Sequence, residues 1–192
     1  MPTYPGDPVT RFESIRKPSG SRLTVVTIGS HAGTHVDAPS HALEDGDPVN
    51  HFDLSRFYGP CRVIDMSQAD ELITAEDLQT KNIQPGERIL IKTKNSNRGY
   101  NEFHDSWVAL SSEGAAYLAS CNVALVGIDW FGIKQKGAPD NGAHTELLSK
   151  GIPILEGITL AKADEATYIL SALPLAYIGT DGAPARAVLI QT

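Results

Sequence analysis

Apolar residues along this chain come in short bursts, not in long helical stripes. The β-branched run from Arg22 to Ile28 predicts a strand. Further strands are predicted at 62–65, at 88–93 after the Pro85-Gly86 turn, and at 123–128, an apolar run too short for a helix. Residues 168–173 and 187–190 predict the last two, with Gly179, Gly182 and Pro184 as a tight loop between them. Helices are predicted in the gaps. Thr74 is placed as an N-cap with Asp77 as its capping-box acid, and Ser111 caps a helix reaching about Ser120, with Ala115, Leu118 and Ala119 on one face. A third, from His144 to Ser149, is closed by Gly151 and Pro153. Polar stretches rich in Pro, Gly and Asn separate these elements. Residues 1–20 read as a loop-like arm, 42–56 as a surface loop, and 95–105 as a loop long enough to line a site. No repeat or linker interrupts the pattern, which predicts one α/β domain over residues 1–192.

Composition narrows the function classes. With 192 residues, 41% of them hydrophobic, the chain can bury a full core. A formal net charge of -7 disfavours a nucleic-acid partner, and the small basic patch from Lys92 to Arg98 lacks the clustering such a face needs. No apolar run approaches the roughly 20 residues that span a bilayer, and the first residues lack the basic start and apolar core of a signal peptide. Cys61 and Cys121 form no CxxC pair and read as two reduced thiols, which fits a cytoplasmic protein.

The chemistry concentrates in His31-Ala-Gly-Thr-His35-Val-Asp37-Ala-Pro-Ser-His41, which holds three of the chain's six histidines. Imidazole and carboxylate are the ligand set for zinc or another divalent first-row ion. Fully extended, His31 and Asp37 would stand about 20 Å apart at ~3.3 Å per residue, so the chain must bend, and Gly33 permits it. Beyond the bend, His35 and Asp37 are two residues apart and point to the same side of an extended chain. A histidine-rich surface loop is the plainer alternative. Asp129, at the end of the 123–128 run, reads equally as a group facing a ligand crevice and as a turn former.

This segment resembles the HxGTHxDxPxH signature of the cyclase-like metal-dependent hydrolases, a family that includes bacterial kynurenine formamidase and isatin hydrolase. The resemblance continues through Tyr4-Pro-Gly-Asp7-Pro, Phe57-Tyr-Gly-Pro60, Ile83-Gln-Pro-Gly86, Gly127-Ile-Asp129, the stretch from His144 to Gly157, and Gly182-Ala-Pro-Ala-Arg186. Family members carry a further segment ahead of the Tyr-Pro-Gly-Asp block, a departure that bears on substrate affinity and assembly. The resemblance implies a swivelling β/α fold with a mixed, barrel-like sheet and surrounding helices. It implies two ions per subunit, Zn²⁺ or Mn²⁺, the first on His31, His35 and Asp37, the second on Asp37, His144 and Glu156. His41 would be the catalytic acid/base. Glu156 fits this reading on its own terms, because a carboxylate inside the apolar run Ile152-Pro-Ile-Leu-Glu-Gly-Ile needs a positive partner. The implied activity is hydrolysis of an aryl or cyclic amide, N-formylkynurenine or an isatin-like ring, with a lactone or ester as alternatives. The implied assembly is a homodimer or homotetramer. The substrate pocket is expected along the 95–105 loop, the N-terminal arm, and Trp107 or Trp130. A non-catalytic metal-dependent binding protein is the reading from another class.

Overall fold

A computed structural model of the chain describes residues 4–99 and 102–191, so the first three residues of the arm and positions 100–101 of the 95–105 loop lie outside it. Strands β1 (Arg11–Arg16) and β2 (Arg22–Thr27) pair antiparallel in a hairpin whose residues are all exposed. The arm therefore contains a six-residue strand. Among the described residues nothing covers Phe12 or Ile15, so no burial pattern marks the strand in the sequence.

The remaining strands are β3 (His35–Asp37), β4 (Tyr58–Asp65), β5 (Leu72–Ile73), β6 (Arg88–Lys92), β7 (Ala109–Leu110), β8 (Leu125–Ile128), β9 (Ile154–Glu156), β10 (Thr167–Ser171), β11 (Gly182–Pro184) and β12 (Val188–Ile190). Eight of them form one curled, half-barrel sheet in the order β11-β3-β9-β8-β6-β4-β10-β12. The four central strands, β9, β8, β6 and β4, run parallel, and antiparallel pairs flank them on both sides. The expected tight loop at 179–184 contains β11, which zips onto β3 with Gly182 opposite Asp37 and Pro184 opposite His35. Three residues are too few for a readable period, and pairing alone makes this segment a strand.

Helices α1 (Ala75–Gln79), α2 (Ser112–Ser120) and α3 (Gly142–Leu148) are accompanied by short 3-10 turns. The Thr74–Asp77 capping box is present, and the Ser111 hydroxyl accepts from the Gly114 N–H. Burial of Ala115, Leu118 and Ala119 seats α2 as its periodicity predicts.

The pleat divides the core in two. Ile64, Ile89, Ile91, Val126, Ile128 and Ile154 point to the face that packs on the helices. Val36, Val63, Leu90, Leu125, Leu155 and Leu170 point to the other. Gly127 sits between them because a Cβ there would come within 2.5 Å of the Leu90 side chain. The alternation sets the site: on β3 and β9 the neighbours of Val36 and Leu155 are His35, Asp37, Ile154 and Glu156, all on the helix face.

The polar 95–105 loop is less solvated than its composition suggests. Asn95 and Ser96 are buried in a 3-10 turn (Lys94–Arg98), and the Asn95 amide exchanges hydrogen bonds with the backbone of Val108. Asp129 faces no ligand crevice. Its carboxylate accepts from the N–H and hydroxyl of both Thr93 and Ser96 at 2.7–3.2 Å, and so ties down the start of that loop. Among the described residues no helix is long and apolar enough to cross a membrane.

Candidate metal centre

The bend after His31 turns at Gly33, whose φ of +69° only glycine adopts without strain. It docks on a second glycine, Gly157, just past β9. A Cβ on Gly157 would come within 2.2 Å of the Gly33 carbonyl oxygen, and the Thr34 hydroxyl donates to the Gly157 carbonyl at 2.7 Å. Antiparallel pairing then sets His35 directly opposite Glu156.

Five side chains converge on this face. Asp37 and Glu156 are almost wholly buried, as are His35 and His144. His35 donates Nδ1–H to the Gly33 carbonyl at 2.8 Å, leaving Nε2 to face Asp37 Oδ1 at 3.2 Å and Glu156 Oε2 at 3.4 Å. His31 Nδ1 lies 2.8 Å from Asp37 Oδ1. From α3, His144 Nε2 stands 3.5 Å from Glu156 Oε1 and 3.8 Å from Asp37 Oδ2. The backbone N–H of Ile133 donates to Glu156 Oε1 at 2.6 Å and fixes that carboxylate. His41 completes the group, its ring 4.1 Å from that of His31 and 5.3 Å from that of His144. Single donor atoms of His35, Asp37 and Glu156, and likewise of His31, Asp37 and His41, all lie within 4.8 Å of one another. All six residues singled out in the sequence thus meet at one place.

Two buried carboxylates need counter-charge. In the protein alone the histidines supply it. Burial disfavours a charged His31, yet the hydrogen bond and charge of Asp37, helped by Asp181, raise its pKa to about 8. His35 is driven well above its ordinary value against a still larger burial penalty, through Asp37 and Glu156. Burial opposes ionisation of Asp37 too, but its hydrogen bond to His31 and the close approach and charge of His35 hold its carboxyl well below the usual range. His41 goes the other way. Burial lowers its pKa, the nearby His31 and His144 add to this, and Asp37 and Glu156 only partly oppose it. Even so, His35 Nε2, Asp37 Oδ2 and His144 Nδ1 are buried without a hydrogen-bond partner.

Asp181 was not among the sequence candidates. Its Oδ2 sits 3.0 Å from His31 Nε2 and 3.8 Å from His41 Nδ1. It directly precedes β11, and only the pairing of β11 with β3 brings it here. No spacing in the sequence signals it.

Beside Glu156, the 130–133 segment joins an aromatic cluster in which Tyr4, Phe103, Trp107, Trp130 and Phe131 meet edge to face, tilted or, for Phe103 and Phe131, stacked. The Gly157 N–H donates to the Trp130 carbonyl at 2.6 Å, joining this segment to the end of β9. Trp107 and Trp130, expected along the pocket, are buried and form the back of the cluster, whereas Tyr4, Phe103 and His104 are half-buried at its edge. A cavity of about 740 Å³ opens on the opposite face of the sheet among Leu90, Leu155, Leu170 and Leu189, its lining reaching the bend at Gly33, Thr34 and Gly157. None of the clustered ionisable residues lines it, and it is not the site of this chemistry.

Residues 1–135 match the Cyclase family model, described as "Putative cyclase". The chain is 36% identical over 190 residues to a kynurenine formamidase of Bacillus cytotoxicus, covering 97% of this chain and 90% of the relative. Its structure is similar to one described as "The Structure Of Potential Metal-Dependent Hydrolase With Cyclase Activity", with a TM-score of 0.87, 34% identity, and coverage of 98% of this chain and 90% of the other. An isatin hydrolase bound to the product analogue thioisatinate shares the fold, with a TM-score of 0.82 at 24% identity over 96% of this chain and 83% of that one. The half-barrel sheet, the histidine–aspartate bend on its helix face and these likenesses place the chain in one family: it belongs to the cyclases.

Proposed function

We propose that the chain is a metal-dependent amide hydrolase of the arylformamidase type, converting N-formylkynurenine and water to kynurenine and formate. One observation carries the metal reading. His35 Nε2 and Asp37 Oδ2 are buried, lack hydrogen-bond partners, and belong to residues that face Glu156 and His144 across a few ångströms. A divalent ion fits that donor set in chemical type and would satisfy both orphaned atoms. His31, His35 and Asp37 would hold one ion, and Asp37, His144 and Glu156 a second, as Zn²⁺ or Mn²⁺. When bound, such ions lower the pKa of water from about 16 towards 7 and polarise a carbonyl oxygen.

The chain's own residues supply the rest. His41 is depressed below its ordinary pKa and keeps 30% of its side chain exposed, so it is neutral at pH 7 and free to take a proton. It accepts one from the attacking water and returns it to the departing amine, which is a poor leaving group until protonated. Tyr4 and Phe103 offer aromatic faces beside the centre for an aryl substrate. Glu156 stays ionised and oriented through its hydrogen bond from Ile133. The active form is a homodimer or homotetramer. In support, both faces of the β1–β2 hairpin expose apolar side chains, Phe12 and Val26 on one and Ile15, Leu23 and Val25 on the other, which a second copy could cover. A cytoplasmic setting suits the two free thiols of Cys61 and Cys121.

The test is His41→Ala in enzyme loaded separately with zinc and manganese and assayed on N-formylkynurenine and isatin. Metal content should equal that of the parent while turnover falls about 10²- to 10⁴-fold. Lost metal would make His41 a ligand, and undiminished turnover would end its role as acid/base. A parent inactive on both substrates would refute the arylformamidase assignment.

A further inference from the structure

Among the described residues, Asp181 is the one carboxylate at the centre's rim to which the proposed function gives no task. It is firmly placed: its backbone carbonyl accepts from the Ala38 N–H at 2.9 Å, and the next residue, Gly182, pairs with Asp37. Its Oδ1 accepts from the Ser30 hydroxyl at 2.9 Å, which aims Oδ2 at His31 Nε2, 3.0 Å away. His31 is thus held at both nitrogens, Nδ1 by Asp37 inside the cluster and Nε2 by Asp181 outside it. Gly182 makes room for this ring, since a Cβ there would lie 2.8 Å from His31 Cε1. His41 Nδ1, at 3.8 Å, is beyond hydrogen-bonding distance of Asp181.

An imidazole that binds an ion must bare the nitrogen that faces it, so its single proton belongs on the other one. We propose that Asp181 is a positioning residue: it accepts the Nε2 proton of His31, fixing the tautomer whose bare Nδ1 faces Asp37 and the cluster. This inference rests on reading the cluster as a metal centre. A carboxylate behind a ligating histidine orients the ring and makes it more basic, and removing such a partner typically costs about 10- to 100-fold in metal affinity.

The experiment measures Zn²⁺ affinity of the purified protein by chelator competition, for the parent, Asp181→Asn and Asp181→Ala, alongside thermal unfolding of each metal-free form. Asparagine matches aspartate in shape and can still bond to Ser30, so a purely structural side chain would be replaced without loss. The expected result is weakening of about 10-fold or more in both variants, with the Asn form unfolding at the parent's temperature. Parent-like affinity in Asp181→Asn would overturn the proposal, and a loss confined to Asp181→Ala together with lowered thermal stability would reduce Asp181 to a structural group. If the parent itself takes up no Zn²⁺, the metal reading falls and the proposal with it. That outcome is distinct from a parent that binds and variants that bind equally well.

Discussion

Replacing Asp129 by alanine should destabilise the protein heavily without touching the metal centre. The carboxylate is fully buried and takes four donors, at 2.8 Å from Thr93 N, 2.7 Å from Thr93 Oγ1, 3.2 Å from Ser96 N and 2.7 Å from Ser96 Oγ. The hydroxyls can rotate to other acceptors, but the two N–H groups are fixed by the 3-10 turn that follows β6. Stranding each costs about 1–3 kcal/mol, which puts the loss near 4 kcal/mol, at the large end for a point mutation. For a chain of this size that is roughly 8–16 °C in Tm. Asp129→Asn keeps one acceptor oxygen and sheds a charge that burial disfavours, as the raised pKa of Asp129 shows, so it should lose about half as much. Urea denaturation of metal-free protein, monitored by Trp107 and Trp130 fluorescence, measures both. An alanine variant within 1 kcal/mol of the parent would refute the argument that Asp129 serves as an acceptor for the loop.

Three more outcomes follow from the geometry. Gly182→Ala would push its methyl to 2.8 Å from His31 Cε1 and 2.7 Å from the Val36 carbonyl, so metal content by elemental analysis should fall while far-UV circular dichroism stays native. Thr74→Ala removes one half of the capping box on α1 and should cost about 1 kcal/mol in urea, with amidase activity unchanged. In metal-free protein His31 titrates near 8, above its unfolded value of about 6.5, so its contribution is complete below pH 6.5 and disappears as pH rises through 8. The urea midpoint should therefore drop across that window by an amount worth up to about 2 kcal/mol, and metal-loaded protein should not show the drop, because the ion replaces the proton.

The sequence made the helix caps and the central strands legible because each carries its own signal. Thr74, Ser111 and the runs around Ile89 and Val126 are local statements about capping and burial. His35 and Asp37 were legible for the same reason, as a period of two around Val36, and Glu156 because an acid interrupts an apolar run. What stayed hidden depends on partners distant in the chain. The hairpin strand β1 buries nothing, so it has no apolar face to read. Strand β11 exists through its ladder with β3, and Asp181 reaches the centre only on that ladder. The early part of the 95–105 loop looked solvated because Asn95 and Ser96 are polar, yet both are buried and bonded to Val108, Asp129 and Leu160 further along the chain.

The pairing of His35 with Glu156 across β3 and β9 has a bearing on how the chain matures. Its two halves are separated by 121 residues, and the ladder with β11 reaches further still. On this geometry His31, His35 and Asp37 would emerge early in synthesis and have no folded partner until β9 and β11 follow. Only then would the side chains proposed as ligands stand together around an ion. A ribosome-bound chain arrested before Ile154 should bind zinc no better than an unfolded histidine peptide, which would make metal uptake a report that synthesis has passed β9.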